Sequence, residues 1–259
     1  MTDYIRRVRR RVKPAEGVRV NPNNSLVRDL VGLWSYNGAI VDATQNSVPG
    51  YFDATNPPEW VTSNEGKVLA FLDGADGALI PLSSSQKVSL PYALAIRFRT
   101  TYTTNSIFCE INGNSGLSAQ IGILASANKF QLTSGGTDVS QKLVSASDIN
   151  DGSWHTVVVS VVGVGLSTVW LDGVDDTSAT NNGGAPLYGS ATTIDIGARP
   201  GAGFGNVGVQ SWFALWDRGL SNTEVKEVTD NPYQLWAPIR RFTPVGTVLA
   251  PPTVQQMIL

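Results

Sequence analysis

The sequence predicts an all-β protein: a two-sheet antiparallel sandwich with one short helix near its C-terminal end and an extended arm at each terminus. Three observations carry this. Short apolar–polar alternations recur along the middle of the chain, turn-forming dipeptides separate them, and charged residues are only 15% of the total, low for a helical protein and ordinary for short strands.

Residues 1–25 read as a basic arm. It holds seven Arg or Lys (Arg6, Arg7, Arg9, Arg10, Arg11, Lys13, Arg19) against Asp3 and Glu16, a balance of +5 that leaves −7 on the rest of a chain whose net charge is −2. A basic arm on an acidic body predicts an acidic or polyanionic partner for the arm. No base-reading motif accompanies the arginines, so docking on protein is favoured over nucleic acid. The basic start is not followed by an apolar stretch, so no signal peptide is expected. The longest apolar run, Val157 to Leu166, is too short to span a bilayer, and no membrane partner is expected.

Residues 26–237 read as the sandwich. Leu94, Ile96 and Phe98 alternate with Ala95, Arg97 and Arg99, one face buried and one wet. Ile107, Cys109 and Ile111 alternate with Phe108 and Glu110, and Asn112-Gly113-Asn114 turns the chain. Residues 120–124 and 129–133 flank a hairpin loop. Residues 156–162 are apolar on both faces, which predicts a central strand covered on both sides. Residues 168–172 run into Asp172-Gly173, a favoured hairpin turn. Residues 194–197 and 209–216 complete the strands. The helix is predicted over 222–229. Ser221 and Glu224 form a capping box, Leu220 and Val225 staple it, and Asn231-Pro232 stops it. Residues 238–259 form a second arm, rich in proline. Its apolar members Phe242, Val248, Leu249, Met257, Ile258 and Leu259 suit docking better than free solvation.

Several segments resemble one family in the expected order: residues 68–79 (VLAFLDGADGAL), 151–155 (DGSWH), 170–173 (WLDG), 194–197 (IDIG) and 215–224 (LWDRGLSNTE). They are similar to the concanavalin A-like lectin/glucanase superfamily in its laminin-G-like branch, which implies a jelly-roll. The flanks NPNNSLVRDLVGLW (21–34) and NPYQLWAP (231–238) resemble those of such domains in bacteriophage virion proteins.

That resemblance implies a virion structural accessory protein, either capsid decoration (cement) or tail-associated. It would be made in the bacterial cytoplasm, displayed on the virion, and strapped by its arms to major capsid or tail proteins. Arg6, Arg7, Arg9, Arg10, Arg11, Phe242, Leu249 and Leu259 would be the docking residues, and a homo-oligomer, a trimer for example, is expected. The alternative is a carbohydrate-binding lectin module. Glycan contacts, as adhesion or as the main function, would fall to loop aromatics Tyr51, Trp60, Tyr188 and Phe204.

A glucanase-like hydrolase is the third reading, and the chain is expected not to be an enzyme. Glycosidases need two carboxylates flanking the scissile bond, and the family's E-x-D-x-x-E strand is absent. Glu110 stands as a lone strand carboxylate. His155, the single histidine, offers no triad or metal set and is expected to make a structural hydrogen bond. No cofactor is expected beyond a Ca²⁺ ion on turn carboxylates Asp73, Asp76, Asp172, Asp175 and Asp176, whose competing role is to make the turns themselves.

Overall fold

The structure, a computed structural model, describes residues 13, 19–47, 49–72, 76–83, 88, 91–103, 106–113, 118–124, 128–134, 142–163, 166–182, 191–197 and 207–236. Its strands run, in chain order, β1 Leu30–Tyr36, β2 Ile40–Asp42, β3 Tyr51–Phe52, β4 Glu59–Ser63, β5 Gly66–Phe71, β6 Gly77–Pro81, β7 Tyr92–Arg99, β8 Ser106–Gly113 and β9 Ser118–Leu124. There follow β10 Lys129–Ser134, β11 Lys142–Asp148, β12 Trp154–Val161, β13 Thr168–Leu171, β14 Val174–Asp175, β15 Thr177–Asn182, β16 Ala191–Gly197 and β17 Gly208–Trp216, then helix α1, Asn222–Asp230.

The strands form two antiparallel sheets. The first is ordered β14-β13-β12-β7-β17-β1-β2, with β5 also pairing β17 and β4 pairing β5. The second is ordered β15-β11-β10-β9-β8-β16-β6-β3. The first sheet brings together strands far apart in sequence: β17 lies between β1 and β7.

Alternation along each strand builds the core. Leu94, Ile96 and Phe98 of β7, Val157, Val159 and Val161 of β12, and Phe213 and Leu215 of β17 point between the sheets. They meet Ile111, Phe130, Leu132, Ile194 and Ile196 of the second sheet. Phe108 is buried beside Cys109, because a register shift between Ile107 and Cys109 interrupts the alternation read from the sequence. Its ring centroid lies 4.2 Å from that of Phe98. Gln210 donates through Nε2 to the Phe108 carbonyl at 3.0 Å, a polar tie between the two sheets.

The other face of the first sheet is apolar too. Leu33, Ala95, Val158, Trp212, Ala214 and Trp216 are buried there under Leu26, Leu220, Val225, Val228, Tyr233, Leu235 and Trp236. This is why β12 is buried on both faces. Helix α1 supplies Val225 and Val228 to that cover and carries the full capping box, Ser221 with Glu224.

The two flanks of the sandwich clasp each other over this face. Val20 and Trp236 form an antiparallel bridge. The Asn21 backbone N–H donates to the Leu235 carbonyl at 2.7 Å, and the Asn21 and Asn24 side-chain amides donate to the Gln234 carbonyl. Trp216 donates through Nε1 to the Leu26 carbonyl at 2.7 Å. Contacts with the body therefore begin before residue 26. Among the described residues, no helix is long and apolar enough to cross a membrane.

Candidate binding face and the Glu65 node

The register of the second sheet sorts its residues into rows. Tyr51 pairs Leu79, Leu79 pairs Asp195, and Asp195 pairs Glu110. The row continues by backbone pairing through Gln120 and Thr133 to Lys142. The next row runs Phe52, Ala78, Ile196, Cys109, Ile121, Leu132 and Leu143. Ala78, Ile196, Cys109, Leu132 and Leu143 of that row lie in the inter-sheet core. Because side chains alternate faces, Tyr51, Leu79, Asp195 and Glu110 belong to the outer face.

That row joins an exposed aromatic to polar groups. Tyr51, on the edge strand β3, is 56% exposed. Glu110 and Asp195 face each other from neighbouring strands, so Glu110 is not a lone carboxylate; pairing supplies a partner that sequence spacing did not reveal. Both are buried, and Asn112 donates through Nδ2 to Asp195 Oδ2 at 2.8 Å. The thiol of Cys109, fully buried, is pushed up by desolvation and then by the Glu110 and Asp195 charges.

The other predicted site residues separate into several environments. Trp60 is half-buried, its ring 5.6 Å from that of Phe52, and packs on the core. Tyr188, Phe204, Asp73, Arg6, Arg7, Arg9, Arg10, Arg11, Phe242, Leu249 and Leu259 lie outside the described residues. The remaining turn aspartates are occupied by local bonds. Asp76 accepts the Leu72 backbone N–H at 2.5 Å. Asp175 accepts from the Thr177 backbone N–H and hydroxyl, and Asp176 from those of Ser147. Asp172, at φ 50°, accepts the Thr156 N–H through Oδ1 and holds His155 Nδ1 through Oδ2, both at 2.8 Å. This matches the turn-making role. Among the described residues, no three His, Cys, Asp or Glu side chains gather as a metal site.

His155 has its structural bonds on both ring nitrogens, the second to Asp151 Oδ1 at 3.0 Å. The Asp172 bond first, and then the Asp151 bond against the opposing effect of burial, hold its pKa above the ordinary value. The DGSWH turn and the WLDG hairpin are thereby joined.

On the first sheet, sequence reasoning missed a charged node around Glu65. Burial acts to raise the Glu65 carboxyl, but hydrogen bonds from Arg97 and Tyr233, with the charges of Arg97 and Lys13, hold it below the usual range. Arg97 Nη2 lies 2.8 Å from Glu65 Oε1, and the Tyr233 hydroxyl donates to Oε2 at 2.5 Å. Lys13 is buried beside them. Its Nζ donates to the carbonyls of Tyr36 at 2.5 Å and Lys67 at 2.6 Å. Burial lowers its pKa to about 7, with Glu65 opposing. Nothing in the local sequence sets Lys13 apart from the arginines around it. Beside the node, Arg97 and Arg99 stand 5.6 and 5.5 Å over the Trp154 ring, which is fixed by its Nε1 bond to Asn64.

The architecture is that of a lectin-type jelly-roll sandwich. The chain belongs to the Laminin_G_3 family of the Concanavalin A-like lectin/glucanases superfamily, whose model matches residues 72–226. No curated protein matches it in sequence. Among solved structures it is similar to domain 4 of AbnA, a GH43 extracellular arabinanase from Geobacillus stearothermophilus, in complex with arabinotriose. That likeness has a TM-score of 0.61 at 19% identity, over 78% of this chain and 98% of that one. It is also similar to the binding domain of Paraclostridial Mosquitocidal Protein 1 (TM-score 0.59, 13% identity, 79% of this chain and 52% of that one). A third likeness is to Trypanosoma rangeli sialidase in complex with the inhibitor DANA (TM-score 0.57, 15% identity, 77% and 32%). These likenesses establish the fold; the chain spans only about half and a third of the last two proteins.

Proposed function

We propose that this chain is a non-catalytic, lectin-like module that binds saccharide through the outer face of its second sheet and is anchored in a larger assembly by its terminal segments. One observation carries the reading: the two outer faces are unlike. Most of the first sheet's outer face is covered by the clasped flanks and α1. The second sheet's outer face carries the row that runs from exposed Tyr51 to the Asp195–Glu110 pair. An exposed aromatic ring is the group that stacks on a sugar face. The similarity to an arabinanase domain solved with arabinotriose supports the same class of ligand. The setting we propose is a bacteriophage virion, with the module attached to capsid or tail proteins as a homo-oligomer. Its support is the resemblance of the two flanks, which meet in the clasp.

The hydrolase reading gains one favourable observation, since Glu110 and Asp195 are directly opposed. Their burial, 0% and 6% exposed, denies them a substrate and favours binding without cleavage.

Titrating the full chain with arabino-oligosaccharides and a wider saccharide panel by calorimetry tests the proposal. Binding is expected, and Tyr51→Ala should weaken it by about tenfold, a loss typical of one stacking contact, while Tm stays unchanged because the ring is mostly exposed. Absence of binding to every saccharide, or release of new reducing ends, would overturn it.

A further inference from the structure

One row on the outer face of the first sheet reaches solvent. Trp154 of β12 pairs Arg99 of β7, Arg99 pairs Val209 of β17, Val209 pairs Ala70 of β5, and Ala70 pairs Glu59 of β4. Phe98 and Leu69, the neighbours of Arg99 and Ala70 along their strands, lie in the inter-sheet core, so this row faces outward. Arg99 and Glu59 are exposed, and Trp154 and Val209 are half-buried.

The charges around this row are unevenly matched. Arg97 is satisfied, with Nη2 on Glu65 and Nη1 on the Thr156 hydroxyl, both at 2.8 Å. Asp151 accepts the Ser153 N–H and bonds His155. Arg99 stands over the Trp154 ring, 5.5 Å from its centroid. Among the described residues no carboxylate forms an ion pair with it. Glu59 is three strands away, about 14 Å at the usual strand spacing and beyond the reach of about 10 Å that exposed charges have at 0.1 M salt.

Stacking on the indole orients the Arg99 guanidinium and leaves its N–H edge for a planar anion. Trp154 is fixed in turn by its Nε1 bond to Asn64 Oδ1 at 2.9 Å. Asn64 is exposed, and its amide nitrogen has no acceptor among the described residues. Arg99 and Trp154 stand on paired strands, a frame that holds them in place without a ligand. A cationic fork, a half-buried indole and an amide donor together suit a ring that carries a carboxylate and hydroxyls. An acidic side chain of a protein would use the guanidinium alone. A single unmatched cation suits one carboxylate and not a dense polyanion, because residues 26–259 carry −7.

We propose that Arg99, Trp154 and Asn64 form a site for an acidic sugar, a hexuronate, on the first sheet. Arg99 takes the carboxylate, Trp154 the C–H edge of the ring, and Asn64 a hydroxyl. The site shares no residue with the Tyr51 face of the second sheet, so either can fail without the other.

Calorimetry on the full chain at about 100 mM salt, with trigalacturonate, its methyl ester and poly-L-glutamate, tests the site. Trigalacturonate should bind. The ester keeps the rings without the charge and should bind about tenfold more weakly, the loss expected of one charged hydrogen-bonded contact. Arg99→Gln should cost trigalacturonate about the same factor with Tm unchanged, since the side chain is exposed, and Asn64→Ala should cost less. Tyr51→Ala should leave trigalacturonate binding intact while it weakens binding of arabino-oligosaccharides. No binding of trigalacturonate, equal binding of the ester, or full affinity in Arg99→Gln overturns the site. A loss in Tyr51→Ala with none in Arg99→Gln overturns it in favour of the second sheet. Poly-glutamate binding as tightly as trigalacturonate overturns the choice of a sugar.

Discussion

At the scale of single residues, His155 and Glu110 show what the sequence could disclose. His155 follows Trp154 in the DGSWH segment and is the only imidazole, so a structural bond was the simplest reading, and the structure supplies two. The carboxylate partners lie 4 residues before it and 17 after, the second brought in by the β12–β13 pairing. The bonds raise its pKa. A histidine held above its unfolded value contributes stability fully below about pH 6.5, and that contribution is lost as pH rises through the folded pKa. His155→Gln should therefore lower stability by about 1–3 kcal/mol at pH 6 and by less at pH 9. Urea denaturation at the two pH values checks this, and an equal loss at both would exclude a charged imidazole. Glu110 was the opposite case. Its partner Asp195 is 85 positions away, and only the β8–β16 register brings them together.

At the scale of elements, local signals sufficed where an element is defined by its own residues. The capping box forms as spelled out, with Ser221 accepting the Glu224 N–H and Glu224 accepting the Ser221 N–H at 2.9 Å. Glu224 is also gripped by Arg218 through two bonds, at 3.0 and 2.7 Å. Ser221→Ala should destabilise the protein by about 1 kcal/mol, read as a shift in urea midpoint at constant slope. Periodicity likewise placed β7 and β12 and required cover on both faces of β12. It could not disclose the register shift in β8 that turns Phe108 inward, since a bulge depends on the partner strand.

At the scale of the whole molecule, turn spacing and alternation announced two sheets but not the arrangement of their ends. The clasp joins residues more than 200 apart through the Val20–Trp236 bridge. Trp236, 1% exposed, closes it, its ring 6.4 Å from that of Trp212 and 5.8 Å from that of Tyr233. Emptying that site should remove about 3–5 kcal/mol. Chemical denaturation of Trp236→Ala is the measurement, and a loss under 1 kcal/mol would mean that the flanks do not seal the first sheet. The body is closed by its own flanks.

The place of β17 between β1 and β7 has a consequence for biogenesis. The segment that completes the middle of the first sheet is made after every other described strand, so β1, paired with β2 on one side, must wait on the nascent chain for its other neighbour about 180 residues away. Closure over such a separation is slow. Until the ribosome delivers β17, Trp34 and Leu94 lack the strand that joins them, and a chaperone that shields them would raise the yield of soluble protein.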